Sequence, residues 1–307
     1  MSLHIIRTTN GTFGMSNRRH LIAAALALPA AGFTLQTHAQ HATPSPTTER
    51  GIAYADRDGT PLLLDVYVPA SGEPPFPAVL LFHGGAWTFG ISGPMDMAGP
   101  ARAMADAGYV AFNVSYRLTG DPEGEHVWPD QLDDAQEAVR WVRAHADRYG
   151  VDPDRIAAYG HSAGGFLASH LGVRETRDGS TAELAGVSSR VNGVITIAGQ
   201  SDLTIPYTQD FDREAVVALL GGTIEEKPDL WAEASPISFV DGDSAPFLII
   251  HGGRDTMPIA QARTMAAALQ VTGITVVSVE DAAGDHFTVA DWAQAGPWTL
   301  TFLGQVI

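Results

Sequence analysis

Six nearly unbroken apolar stretches, each running out into a glycine or a short polar turn, constrain this chain more than any other feature. They are residues 76–85 (FPAVLLFHGG), 109–117 (YVAFNVSYR), 155–162 (RIAAYGHS), 191–199 (VNGVITIAG), 245–253 (APFLIIHGG) and 274–282 (ITVVSVEDA). A strand with one wet face alternates apolar and polar side chains, whereas a strand apolar throughout must be covered on both faces. That is the situation in a mostly parallel sheet held between helices. A seventh segment, residues 61–69 (PLLLDVYVP), alternates near its end and reads as an early antiparallel strand. Helical stretches are expected between the strands over residues 101–107, 131–149, 163–173, 259–271 and about 289–302. In the second of these, Leu132, Ala135, Ala138, Val139 and Val142 recur at helical spacing, with Asp130 placed to cap the start. Strand, helix, strand repeats predict a three-layer α/β sandwich in one domain over residues 50–307. Residues 204–235 hold no strand run but carry Tyr207, Phe211 and Trp231, so a small cap segment is expected there.

The amino end is of another kind. Residues 15–39 have a basic start with Arg18 and Arg19, an apolar stretch from Leu21 to Phe33 and a small residue before Gln40. That is the layout of a cleaved secretory signal, and the arginine pair resembles a twin-arginine export signal. The apolar stretch is short for a membrane span of about 20 residues. Residues 1–39 are therefore expected to be an extension plus a cleaved signal, residues 40–49 a linker, and the mature chain periplasmic or secreted without a membrane span. The formal charge is −17, and removing residues 1–39 leaves 15 basic against 35 acidic side chains. Such a surface repels phosphate backbones, so no nucleic-acid partner is expected. With no cysteine, disulfides and thiolate metal sites are excluded. The eleven histidines show no paired-ligand spacing, so neither metal nor cofactor is expected.

The chemistry gathers at strand ends, where sites form in wound α/β sheets. Gly160-His161-Ser162-Ala163-Gly164 fits the G-x-S-x-G pattern, with a strand before it and a helix after it. A tight turn presenting a nucleophile brings backbones too close for Cβ atoms at the two glycines. Ser162 is accordingly the expected nucleophile. His286, after the last strand, is the expected base, and Asp255, after the penultimate one, the expected acid. Asp202 and Asp285 are rival acids, although Asp285 adjoins the base, where its side chain tends to point elsewhere. Acyl transfer also needs N–H donors for the oxyanion. The backbone of Gly85 and Ala86, after the first long strand, and of Ala163 can supply them. His83 reads as a residue fixing that loop, and Trp87 reads equally as pocket or core. Tyr207 and Phe211 are further pocket candidates, while nothing accounts for His161.

The motifs LDVYVP, HGGAW, NVSYRL, WPDQLDDAQEAVRWV, DPDRIAAYGHSAGG, EASPISFV, IIHGGRDTMPI and GDHF span roughly residues 50–305 in this order. Together they resemble the serine esterases of the α/β-hydrolase superfamily, both the hormone-sensitive-lipase-like bacterial enzymes and those named feruloyl or acetyl esterases. Ala86 in place of a third glycine, and His161 before the nucleophile, shift the likeness toward the H-G-G-x-W, G-H-S-A-G-G group, which includes arylformamidases. The resemblance implies a carboxylic-ester hydrolase acting on small or polysaccharide-side-chain esters through an acyl-enzyme. An arylformamidase-like amide hydrolase, and a non-catalytic binding module on the same scaffold, are the alternatives it leaves.

Overall fold

A computed structural model of the chain describes residues 45–57, 59–90, 97–120, 126–177 and 184–307. The expected extension and signal at residues 1–39, and the linker up to residue 44, lie outside these. Eight strands form one sheet: β1 (Thr47–Arg57), β2 (Thr60–Val68), β3 (Phe76–Phe82), β4 (Val110–Val114), β5 (Val151–His161), β6 (Gly193–Ile197), β7 (Phe247–Gly252) and β8 (Val276–Asp281). Their spatial order is β1-β2-β4-β3-β5-β6-β7-β8. β1 and β2 pair antiparallel, as do β2 and β4, and every later pairing is parallel. β1 begins at Thr47, so the last residues of the expected linker are already in the sheet.

Burial follows from the apolar runs. Every residue of β4, β6 and β7 is buried. Successive side chains of β3 enter opposite cores, Leu80 and Phe82 on one face, Val79 and Leu81 on the other. The first core is closed by helices α2 (Asp130–Ala144), α4 (Ala163–Val173) and α7 (Ala260–Val271), the second by α1 (Ala98–Asp106) and α8 (Trp292–Val306). Helices on both faces explain why the strands carry so little polarity. Among the described residues no helix is long and apolar enough to cross a membrane.

Some details depart from the sequence reading. Asp130 does not cap α2. It lies inside the first turn, and its carboxylate meets Arg117 Nη1 at 2.8 Å. Helix α2 buries charge as well as apolar surface: Asp134 accepts from Arg57 Nε at 3.2 Å and from Arg117 Nη2 at 2.8 Å, tying β1 and the segment after β4 to the helix. A short helix, α3 (Ala146–Tyr149), follows, ended by Gly150 in the left-handed conformation. Residues 204–235 hold two helices, α5 (Asp210–Leu220) and α6 (Pro228–Glu233).

Candidate active site

β5 runs directly into Ser162, and α4 begins at the next residue. Ser162 has φ 55° and ψ −121°, a conformation that side-chain-bearing residues rarely adopt. Its N–H donates to the Ile197 carbonyl at 2.8 Å, which holds the turn against β6. The flanking glycines are needed for space. A Cβ on Gly160 would lie 2.0 Å from the Gly164 carbonyl oxygen, and one on Gly164 would lie 2.0 Å from that of Phe82. Both obstacles are backbone, which cannot rotate away.

The loop after β3 is also strained. Gly85, Ala86 and Trp87 have φ of 112°, 53° and 58°. The bend turns the Gly85 carbonyl toward the following residues, where it accepts from the N–H groups of Thr88 and Phe89, both at 2.9 Å. Among the described residues no backbone acceptor takes the N–H of Gly85, Ala86 or Ala163. His83 fixes the loop: its ring stacks on Tyr116 at 4.4 Å, and the Tyr116 hydroxyl donates to the His83 carbonyl at 2.8 Å. Burial pushes its pKa down to about 4, so the ring is neutral.

Asp255 and His286 meet across 31 positions of sequence. His286 Nδ1 lies 2.9 Å from Asp255 Oδ1 and 3.0 Å from Oδ2, with the Asp255 side chain fully buried. The Met257 N–H donates to the same carboxylate at 2.8 Å, and the buried ring of His251 lies 3.8 Å away. A carboxylate only accepts, so this contact places the imidazole proton on Nδ1 and leaves Nε2 to accept. His286 and Ser162 line one pocket of about 350 Å³, to which Gly85 and Ala86 also belong. The rival acids are engaged elsewhere. Asp202 Oδ1 accepts from the N–H and hydroxyl of Thr204 at 3.0 and 2.6 Å. Asp285 Oδ1 accepts from the N–H groups of Phe287 and Thr288 at 3.1 and 2.9 Å.

Of the three aromatic candidates, only Phe211 lines this pocket. Trp87 is fully buried, because the left-handed backbone there turns its indole inward, edge-on to Phe166 at 5.1 Å. Tyr207 packs against the large core cluster ahead of α5 and does not line the pocket. The mouth is instead rimmed by Phe89, Phe211 and Phe287, each more than half exposed. Sequence reasoning also missed Gln200, Asp212 and Arg254, which line the wall. No motif marks the first two, whereas Arg254 adjoins Asp255.

His161 acquires a place. Its Nε2 donates to the His286 carbonyl at 2.8 Å, and the two rings are 4.8 Å apart. Burial, with the neighbouring His286, lowers its pKa to about 4, so it holds the loop that carries His286 as a neutral donor. The same backbone step that presents Ser162 therefore also fixes His286.

Residues 64–269 match the family model described as BD-FAE. Esterase LipC of Mycobacterium tuberculosis is 32% identical over 271 residues, which cover 84% of this chain and 65% of LipC. The propionate-bound structure of esterase Est2 from Thermogutta terrifontis superposes with a TM-score of 0.67 at 27% identity, covering 85% of this chain and 93% of Est2. A truncated carbohydrate esterase from gut microbiota gives a TM-score of 0.72 over 86% of this chain and 97% of its own, a likeness of fold at 24% identity. The chain spans about half to two thirds of the length of the curated esterases it matches.

Proposed function

Because the chain belongs to the BD-FAE family of α/β-hydrolase esterases, we propose that it is a serine carboxylesterase with Ser162 as nucleophile, His286 as base and Asp255 as the residue orienting the base. The observation that carries this is that a strained Ser162, His286 held by the buried Asp255, and Gly85 and Ala86, whose N–H groups have no backbone acceptor among the described residues, meet at one pocket lined by Ser162, His286, Gly85 and Ala86. In the first half-reaction Nε2 of His286 takes the hydroxyl proton as Ser162 Oγ attacks the ester carbonyl carbon. The N–H groups of Gly85, Ala86 and Ala163 receive the oxyanion, and the tetrahedral adduct collapses when His286 returns the proton to the leaving alcohol. Water then attacks acyl-Ser162 by the same route, releasing the acid and regenerating the hydroxyl.

Small acyl groups, or acyl side chains of polysaccharides of the acetyl or feruloyl type, are the proposed substrates. A pocket of about 350 Å³ with an aromatic rim supports that size class, and so does the likeness to an esterase crystallised with propionate. Turnover of p-nitrophenyl acetate tests the reading. Ser162→Ala is expected to lower kcat by roughly 10⁵-fold or more, since the nucleophile and base act as a unit. Near-wild-type turnover by that variant would contradict the assignment.

A further inference from the structure

The pocket wall carries two acceptor oxygens that the reaction just described does not use. Asp212, in the first turn of α5, lines the pocket beside Phe211, and among the described residues its Oδ2 has no hydrogen-bond partner. Gln200, just beyond the end of β6, is buried, lines the same pocket, and its Oε1 is likewise without a partner. Buried or half-buried acceptors are normally paired, so two on one wall of a ligand pocket point to donors brought by the ligand. A simple alkyl ester has none to bring.

The surroundings of Asp212 indicate which end of the ester meets it. Ser162, Gln200, Asp255 and His286 follow the neighbouring strands β5, β6, β7 and β8 in order, so Gln200 comes from the strand between those that lead to Ser162 and Asp255. Asp212 lies within reach of the charges of His286 and Asp255 and beside the hydroxyl of Thr256. The general acid must stand next to the leaving oxygen, so the His286 side of the pocket is the alcohol side. Burial raises the Asp212 carboxyl above its ordinary range, against the pull of His286 and a hydrogen bond with Thr256, and Oδ2 is the oxygen left without a partner among the described residues. The rim supplies the complement: Phe211 and Phe287 offer flat apolar faces against which the C–H side of a polyhydroxylated group can lie.

Resting on the serine-esterase reading, we propose that Asp212 and Gln200 form an acceptor subsite that selects esters whose alcohol portion carries free hydroxyl groups. Asp212 is then a specificity-determining residue.

The test uses the full chain and two butyrate esters of three-carbon alcohols, propyl butyrate and glycerol 1-monobutyrate, which differ by two hydroxyls. The wild type is expected to favour the glycerol ester in kcat/KM. In Asp212→Ala that preference should fall about tenfold, the usual effect of losing one hydrogen bond to a charged acceptor. Asp212→Asn preserves the shape and one accepting oxygen, so it should fall between the two, and Gln200→Leu should lower the ratio in the same direction. A ratio within about twofold of wild type in Asp212→Ala, or a wild-type preference for propyl butyrate, would overturn the subsite and leave the esterase reading standing. No turnover of either ester or of p-nitrophenyl acetate by the wild type would overturn both.

Discussion

At Ser162 the chain holds a side-chain-bearing residue at φ 55°, and the two glycines around it make that possible. Gly164→Ala places a methyl 2.0 Å from the Phe82 carbonyl. We expect this variant either to yield no soluble protein or to lose fluorophosphonate labelling altogether, and near-normal labelling would show that the turn can open. In the proposed mechanism His161 acts one step removed, through the His286 carbonyl, as a positioning residue. His161→Ala should lower kcat by roughly 10- to 100-fold with KM little changed, the signature of a misaligned base. His161→Gln, which can still donate to the carbonyl, should recover part of the loss, whereas equal kcat in all three proteins would remove the role. Ser162, Asp255 and His286 could be singled out as candidates in the sequence because each follows an apolar run, and the structure places each beyond the end of a strand. His161 was not, because its partner is a backbone carbonyl 125 residues away that carries no side-chain signature. Trp87 was equally closed to reading: whether its ring faced pocket or core depended on a φ of 58° that the letters HGGAW do not disclose.

The buried strands announced themselves, since a strand covered on both faces can be built from little but apolar residues. β1 did not. Its sequence TTERGIAYADR is polar and mostly exposed, and it pairs through two irregularities of register, as befits an edge strand held by its hairpin partner. The expected cap segment lacked strand character, and the structure places two helices there, but their docking could not be read. It rests on Glu233, whose carboxylate accepts from Trp128 Nε1 at 3.0 Å and from Arg174 Nη2 at 2.5 Å, and on His170 Nε2 donating to the Ala234 carbonyl at 3.0 Å. Glu233→Ala leaves a largely buried indole N–H and guanidinium without this acceptor, a loss of about 1–3 kcal/mol. Thermal unfolding should show Tm lowered by several degrees. KM for p-nitrophenyl esters should rise, because α5, on the same segment, lines the pocket. A variant with unchanged Tm would mean that the cap is held by its apolar contacts alone.

For the molecule as a whole, the buried histidines set the acid limit. Burial lowers the pKa of His83 and His161 to about 4 and that of His170 to about 3, whereas an unfolded histidine titrates near pH 6.5. Between these values the unfolded chain binds more protons than the folded one. Stability is therefore intact above about pH 6.5 and falls as pH drops toward 4, by up to about 1.4 kcal/mol per histidine per pH unit. His170→Gln should flatten the slope of stability against pH measured by urea unfolding between about pH 7 and 5, and an unchanged slope would exclude His170 as a contributor. The export reading of residues 15–39 remains a proposal at this scale, checked by sequencing the mature amino terminus from the producing cell. An intact Met1 or Met15 would reject it. The central claim, that one strained serine served by His286 and Asp255 performs the chemistry, is tested most directly by intact-mass analysis and peptide mapping after treatment with a fluorophosphonate. One adduct per chain is predicted, located on Ser162 and abolished in Ser162→Ala together with ester turnover. An adduct on any other residue, or undiminished ester turnover by Ser162→Ala, would contradict it.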